Sequence, residues 1–383
     1  MLPDGGEPFC HHCDAVRVGD LVFVTGMAAV DADGQVLAPG QAGAQAKSAY
    51  AALRSALELV GATPADVVKV TNRLTNVDDR PLVDAGCREL FGEHRPASFT
   101  CEVSHLAVDG LLCDVDAVAV VGGAKERLML PGGDEALGHR SDVVRARNLV
   151  WISGMAALGP RQELLAPGDA TEQARIAYRR VQACLDLVGG TAADVVMVKN
   201  YVTDIGHRPL VNVARQEFFG EHRPASFIGE VPRLGVDGVL YEVECIAVLH
   251  EEKQRVMLPG VAEPFSHYCD VVRAGELVFV SGQAAVGLDQ RALHPGDPAA
   301  QARAAFDGVG RALEAVGATT ADVVKVTDYL TDMQDRRLVN GVREQFFGAH
   351  VPASSTCEIP ALVEPGLVYE VDAIAVVGSG APA

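Results

Sequence analysis

Positive charge is scarce in this chain. Its 383 residues carry 32 Lys and Arg against 51 Asp and Glu, a formal net charge of −19. A phosphate backbone is held by clustered Lys and Arg, so nucleic acid is not an expected partner. Long apolar runs are missing as well. None reaches the roughly 18 residues that crossing a bilayer needs, and no membrane association is expected. "MLPDGGEPF" (1–9) has neither the basic start nor the apolar stretch of a signal peptide, which makes the cytoplasm the expected compartment. The cysteines number nine, an odd count, and read as reduced thiols rather than a disulfide frame. With 49% hydrophobic and 22% charged residues, the composition is that of a globular chain, not a disordered one.

What the chain does have is repetition. "HRPASFTCEV" (94–103) returns as "HRPASFIGEV" (222–231) and "HVPASSTCEI" (350–359). Pro96, Pro224 and Pro352 are spaced 128 residues apart, as are Gly26, Gly154 and Gly282 in "VTGMAA", "ISGMAA" and "VSGQAA". Repetition at a fixed step governs the reading of the fold. It divides the chain into three units, 1–124, 125–252 and 253–383.

Within the first unit, "DAVRVGDLVFVTG" (14–26) reads as two short strands around a Gly19-Asp20 turn. Ala46, Ala49, Tyr50, Leu53, Leu57 and Val60 recur at helical spacing until Gly61. "ADVVKVTNRLT" (65–75) is a β-branched strand, and "PLVDAGCRELFG" (81–92) a second helix bounded by Pro81 and Gly92. "ASFTCEV" and "LLCDVDAVAVV" close the unit as strands. The order β-β-α-β-α-β-β is an α+β unit whose two helices cover one face of the sheet. Three units with three uncovered apolar faces are best satisfied by a closed pseudo-threefold ring. The stretches 122–138 and 251–260 read as exposed connectors.

"LVFVTGMAAVDADGQVL", "GATPADVVKVTNRLTNVDD", "ELFGEHRPASFTCEV" and "DVDAVAVV", in that order, resemble the Rid (YjgF-like) family, and the resemblance runs through every repeat. It implies chorismate-mutase-like units closed into an intramolecular pseudo-trimer with a central barrel, a monomer with its small-molecule substrate in clefts between repeats. It also implies hydrolysis of enamines or imines to ketoacids and ammonia, with no metal and no organic cofactor. The family's carboxylate-gripping arginine falls on Ser98, Ser226 and Ser354. Its water-positioning glutamate falls on Asp114, Glu242 and Glu370. Its cleft tyrosine falls on His12, Arg140 and Tyr268. A serine hydroxyl does not replace a bidentate guanidinium contact, so a non-standard, amine-bearing substrate is expected in clefts poor in arginine.

Strand alternation adds Thr100 and Glu102 to the Ser98 face, and Thr356 and Glu358 to the Ser354 face. Two carboxylates per cleft suit an acid–base pair; the other reading sets these glutamates at a solvated rim or pairs them with Arg95 and Arg223. Cys101 and Cys357 are candidate nucleophiles or core residues. His11, His139 and His267 either pack the first strand or line the cleft as proton carriers. "CHHC" (10–13) lacks a second ligand pair for zinc, and no metal is expected. Repeats one and three share Cys13 and Cys269, Lys69 and Lys325, and "TCE", whereas repeat two has Ser141, Met197 and "IGE". The expectation is that repeat two has drifted, and that Asp114 and Glu370 matter more than Glu242. Three functions are open: a deaminase-like hydrolase, a biosynthetic enzyme forming or isomerising a C–N or C–C bond, and a non-catalytic ligand-binding pseudo-trimer.

Overall fold

The computed structural model describes residues 11–132, 138–260 and 266–380. The first repeat runs β1 (Ala15–Val18), β2 (Leu21–Ala28), α1 (Ala42–Leu59), β3 (Val67–Leu74), α2 (Arg80–Phe91), β4 (Ala97–Glu102), β5 (His105–Leu106) and β6 (Cys113–Val120). The second comprises β7 (Lys125–Leu128), β8 (Val143–Ala146), β9 (Leu149–Ala156), α3 (Ala170–Leu187), β10 (Val195–Val202), α4 (Arg208–Phe219), β11 (Ala225–Glu230) and β12 (Tyr241–Val248). The third comprises β13 (Lys253–Val256), β14 (Val271–Ala274), β15 (Leu277–Ala284), α5 (Pro298–Ala315), β16 (Val323–Leu330), α6 (Arg336–Phe347), β17 (Ala353–Glu358) and β18 (Tyr369–Val376).

The expected order is present in each repeat, and the first sheet is ordered β1-β2-β6-β3-β4. Only β3 and β4 pair in parallel, because α2 carries the chain back across the sheet between them. That helix and its equivalents end on Gly92, Gly220 and Gly348 at φ of 56 to 58°, where a Cβ is disfavoured. One expectation fails at the connectors. Lys125–Leu128 and Lys253–Val256 are strands, each pairing antiparallel with the next strand of its own repeat. Strand β5 of the first repeat also joins β17 of the third, through Cys357–Leu106 and Glu358–His105.

Alternation splits each sheet between two cores. Val115, Ala117 and Ala119 of β6 face the helices in a core private to the first repeat, and the other repeats have matching cores. The opposite faces meet in two shared clusters. One gathers Phe23, Val118, Trp151, Met197, Phe279 and Ile374 from all three sheets. The other includes Phe99, Tyr201, Phe227 and Tyr329. The uncovered faces therefore cover one another, as the ring requires. The expected barrel is not one continuous hydrogen-bonded wall. Among the described residues three separate sheets are joined by β5 and by bridges such as Cys13–Ala353, Ala97–Ser141 and Cys101–Leu234.

Ion pairs close the ring around its centre. Lys69 of the first repeat pairs with Glu244 of the second, and Lys199 of the second with Asp372 of the third at 2.7 Å. Lys325 of the third returns to Asp116 of the first at 2.9 Å. Met197 occupies the second repeat's lysine position, but Lys199 supplies the charge two residues along the same strand face. The cation has moved rather than vanished.

Removing one partner of a buried pair strands the other charge. Lys69→Met is expected to cost about 3–5 kcal/mol in denaturant unfolding. Adding Glu244→Leu to it should recover most of that loss. A double variant no more stable than the single one would contradict this role for the ring.

Candidate active site

Each seam is built from unlike halves of two repeats. The serine strand of one repeat packs on the second strand of the next, so the Ser98 amide donates to Ser153 Oγ at 2.7 Å. Likewise Ser226 donates to Ser281 Oγ at 2.8 Å, and Ser354 to Thr25 Oγ1 at 3.0 Å. Ser98 therefore lines a cleft with Arg140 and Glu242, and the 128-residue step sets Tyr268 and Glu370 at the Ser226 seam and His12 and Asp114 at the Ser354 seam. The cleft acids lie against Gly26, Gly154 and Gly282. A Cβ at Gly154 or Gly282 would overlap Glu242 Oε1 or Glu370 Oε1, so these positions admit only a hydrogen. Since every cleft draws on two repeats, drift in one repeat does not map onto one cleft.

The clefts are not poor in arginine, contrary to the sequence expectation. Arg80, Arg140 and Arg180 line the first with Ser98, Thr100 and Glu242. Arg208 and Arg215 stand near Tyr268 in the second, where their charges act on its hydroxyl. Arg336 and Arg343 act on His12 in the third. Arg80, Arg208 and Arg336 recur at the 128-residue step, each as the first residue of its helix, a signal legible in sequence but outside the serine motif.

The first cleft is filled. Arg140 Nη1 donates to the Gly154 carbonyl at 3.0 Å, and Nη2 approaches Asp142 at 3.4 Å. Arg80 lies 3.6 Å from Asp84, and Arg180 donates to the Leu158 carbonyl at 2.6 Å. The remaining space, about 20 Å³, suits a single water. Burial raises the Glu242 carboxyl, opposed by the Arg140 and Arg80 charges.

The third cleft is neutralised from within. Asp114 lies 3.0 Å from Arg73 Nη1, and Asp116 2.5 Å from Nη2. Arg73 stands where the other repeats have Tyr201 and Tyr329. Those tyrosines stack on Phe99 and Phe227 with centroids 4.0 and 3.6 Å apart. The third seam has Ser355 in place of the phenylalanine, and its hydroxyl donates to Asp116 at 2.7 Å. A stacked pair has become a polar one. Arg343 also reaches the serine position, donating to Ser354 Oγ at 3.0 Å while pairing with Asp328. Burial and the Arg343 charge lower His12 to about 4, leaving it neutral.

The second cleft differs from both. Glu370 is 5% exposed, and its Oε2 has no hydrogen-bond partner among the described residues. Burial, reinforced by Asp372, pushes it up to about 8. Its neighbour Tyr268 is also raised, mainly by burial, and stays a neutral hydroxyl.

Other expected site residues serve the scaffold. The glutamates at the end of the serine strand do not enter the clefts. Glu102 Oε2 accepts from the Val77 amide at 2.9 Å and Glu358 Oε2 from the Met333 amide at 2.6 Å, closing the turn before the second helix. Glu358 Oε1 also meets His105 Nδ1 at 2.7 Å. Thr100 does line the first cleft, where Asn72 donates to it at 3.3 Å, while Thr356 is buried. Cys101 and Cys357 are buried in the shared core, and burial holds both thiols well up, Cys357 at about 12. Such thiols do not act as nucleophiles at neutral pH. His11 Nε2 meets the His350 carbonyl at 2.7 Å and His267 Nε2 the His222 carbonyl at 3.1 Å, so both tie a repeat to its neighbour's turn. Of "CHHC", Cys10 lies outside the described residues, and Cys13 donates to the Val351 carbonyl at 3.1 Å.

Glu370 makes stability depend on pH. Its carboxyl binds a proton more tightly folded than unfolded, so stability falls as pH rises from about 4.5, and the loss is complete above about 8. Glu370→Gln keeps the neutral shape. It is expected to melt with the wild type at about pH 4 and several degrees above it at about pH 9. Equal melting curves at both pH values would rule out a buried, unpaired acid.

Comparison with known proteins agrees with this architecture. The family described as endoribonuclease L-PSP matches residues 7–121, 134–249 and 260–377, once per repeat. A RutC family protein of Pyrococcus horikoshii is 32% identical over 123 residues, covering 32% of this chain and 97% of its own. The 2-iminobutanoate/2-iminopropanoate deaminase of Bos taurus is 35% identical over 111 residues, covering 29% of this chain and 80% of its own. Among solved structures, a chorismatase covers 82% of this chain and 93% of its own at a TM-score of 0.55 and 16% identity, a likeness of fold alone. With three matches that together span most of its length, the chain belongs to the endoribonuclease L-PSP family, the Rid (YjgF-like) family that its repeats resemble.

Proposed function

We infer that the chain hydrolyses the C=N bond of a small imine or its enamine tautomer, releasing ammonia, and does so at the seam between the second and third repeats. Relatives named 2-iminobutanoate/2-iminopropanoate deaminase support the reaction class. The observation that carries the choice of seam is Glu370, a buried acid whose Oε2 has no hydrogen-bond partner among the described residues and which burial raises to about 8. Near neutral pH it holds a proton that it can give to the imine nitrogen. As a carboxylate it then takes a proton from the water attacking the carbon. Collapse of the carbinolamine breaks the C–N bond, leaving a carbonyl and ammonia. A group with a pKa near the working pH suits both transfers. Tyr268 offers a neutral hydroxyl beside the same acid.

The other seams lack this combination. Glu242 lies among arginines and Asp114 is held by Arg73. The acid surplus of the whole chain disfavours a phosphodiester substrate, whatever the family's description names.

The test follows ammonia released from imines generated in place by an amino-acid oxidase. Glu370→Gln is expected to lower the rate at least about 100-fold, the scale of losing a general acid. Asp114→Asn and Glu242→Gln are expected to keep most of it. Equal losses at all three positions would point to three working clefts and overturn the assignment.

A further inference from the structure

The first and second clefts share one plan. Each sets a serine of one repeat, Ser98 or Ser226, at a seam with the next repeat, whose acid, Glu242 or Glu370, lies against Gly154 or Gly282. Both acids are buried, and burial raises both carboxyls. Two neighbouring positions differ. Arg140 stands where the third repeat has Tyr268, and Arg180 where it has Gly308.

Both arginines line the first cleft, whose remaining space is about 20 Å³. Arg140 is buried, held by the Gly154 carbonyl at 3.0 Å and by Asp142 at 3.4 Å. Its Nε has no hydrogen-bond partner among the described residues. Arg180 reaches from α3 to the Leu158 carbonyl at 2.6 Å. In the wall of this cleft Gly154 and Ala156 are buried, whereas their counterparts Gly282 and Ala284 are partly exposed. At Gly308 no side chain leaves the helix, and Gln283 Oε1 lies 2.5 Å from where a Cβ would be.

The scaffold does not need the guanidinium. Asp142 accepts from the Leu130 amide at 2.9 Å, and Asp270, its counterpart beside Tyr268, accepts from the Leu258 amide at 2.7 Å. The same turn is thus held with an arginine or a tyrosine two residues before the acid. Arg140 is also the foremost of the charges that oppose the effect of burial on Glu242, so its loss brings Glu242 closer to the condition of Glu370. We propose that Arg140 and Arg180 form an internal plug that keeps substrate out of the first cleft, and that Glu242 is a latent catalytic acid behind it. The proposal rests on the hydrolytic reading for the reaction, and it explains why two clefts with the same serine and acid differ in activity.

Two readouts on the whole chain separate access from chemistry. Ser98→Cys sets a thiol in the first cleft, and methyl methanethiosulfonate, followed by peptide mass, reports whether a small molecule reaches it. Adding Arg140→Tyr and Arg180→Ala should speed its modification at least about 10-fold, because access limits the reaction of a buried thiol. Arg140→Tyr alone should give part of this gain, so the test does not depend on the double change folding. Separately, with Ser98 kept and Glu370→Gln in place, removing both arginines should raise ammonia release at least about 10-fold, and Glu242→Gln should cancel the rise. Such a gain is not produced by misfolding. A thiol modified equally fast with and without the arginines would overturn the plug. Faster modification with no regained release, in a chain whose release depends on Glu370, would overturn the latent acid. Faster modification in a chain whose release is indifferent to Glu370→Gln defeats the hydrolytic reading alone.

Discussion

A charge taken out of water has to meet a counter-charge or give up its ionisation, and the interior of this ring is organised around that constraint. The three sheets turn their inner faces on one another, and those faces are not wholly apolar. Lys69, Lys199 and Lys325 each reach an acid of the next repeat, so the pairs that make the interior tolerable also hold the repeats together. Where the second repeat has Met197, the lysine reappears at Lys199 rather than leaving Asp372 unpaired. The threefold pattern is kept in charge, not in residue identity.

Fusion of the repeats lets each seam meet the constraint differently. In the first, Glu242 lies among guanidiniums and the space is nearly closed. In the third, Tyr-to-Arg and Phe-to-Ser exchanges across the seam bring Arg73, Asp114, Asp116 and Ser355 into one network. In the second, Glu370 Oε2 and the Nε and Nη2 of Arg215 have no hydrogen-bond partner among the described residues. A homotrimer of identical chains repeats each substitution in all its seams. A fused chain confines each exchange to one seam, as with Glu370, whose Oε2 has no hydrogen-bond partner among the described residues.

The fold was legible because its signals are local and repeated. The 128-residue step gave three units, helical spacing and β-branched runs gave their elements, and the uncovered sheet face gave the ring. Alternation along β4 correctly set Phe99 and Cys101 apart from Ser98. It misled at Glu102 and Glu358, because each carboxylate bends to the turn amide that follows the neighbouring strand. The connectors were misread because four polar-flanked residues become a strand only when the next strand of the same repeat supplies the edge. The arginines were missed for a related reason. Arg80, Arg208 and Arg336 recur at the repeat step but sit at helix starts, far from the serine motif.

The claim on which the account depends is that Glu370 is buried in a seam without a counter-charge. The most direct measurement is a pH titration of side-chain carboxyl ¹³C shifts in protein labelled at glutamate, with Glu370→Gln to assign the resonance. The account predicts one carboxyl titrating near pH 8 that disappears in the variant. A Glu370 carboxyl that titrates at its ordinary value, near 4.5, would contradict it.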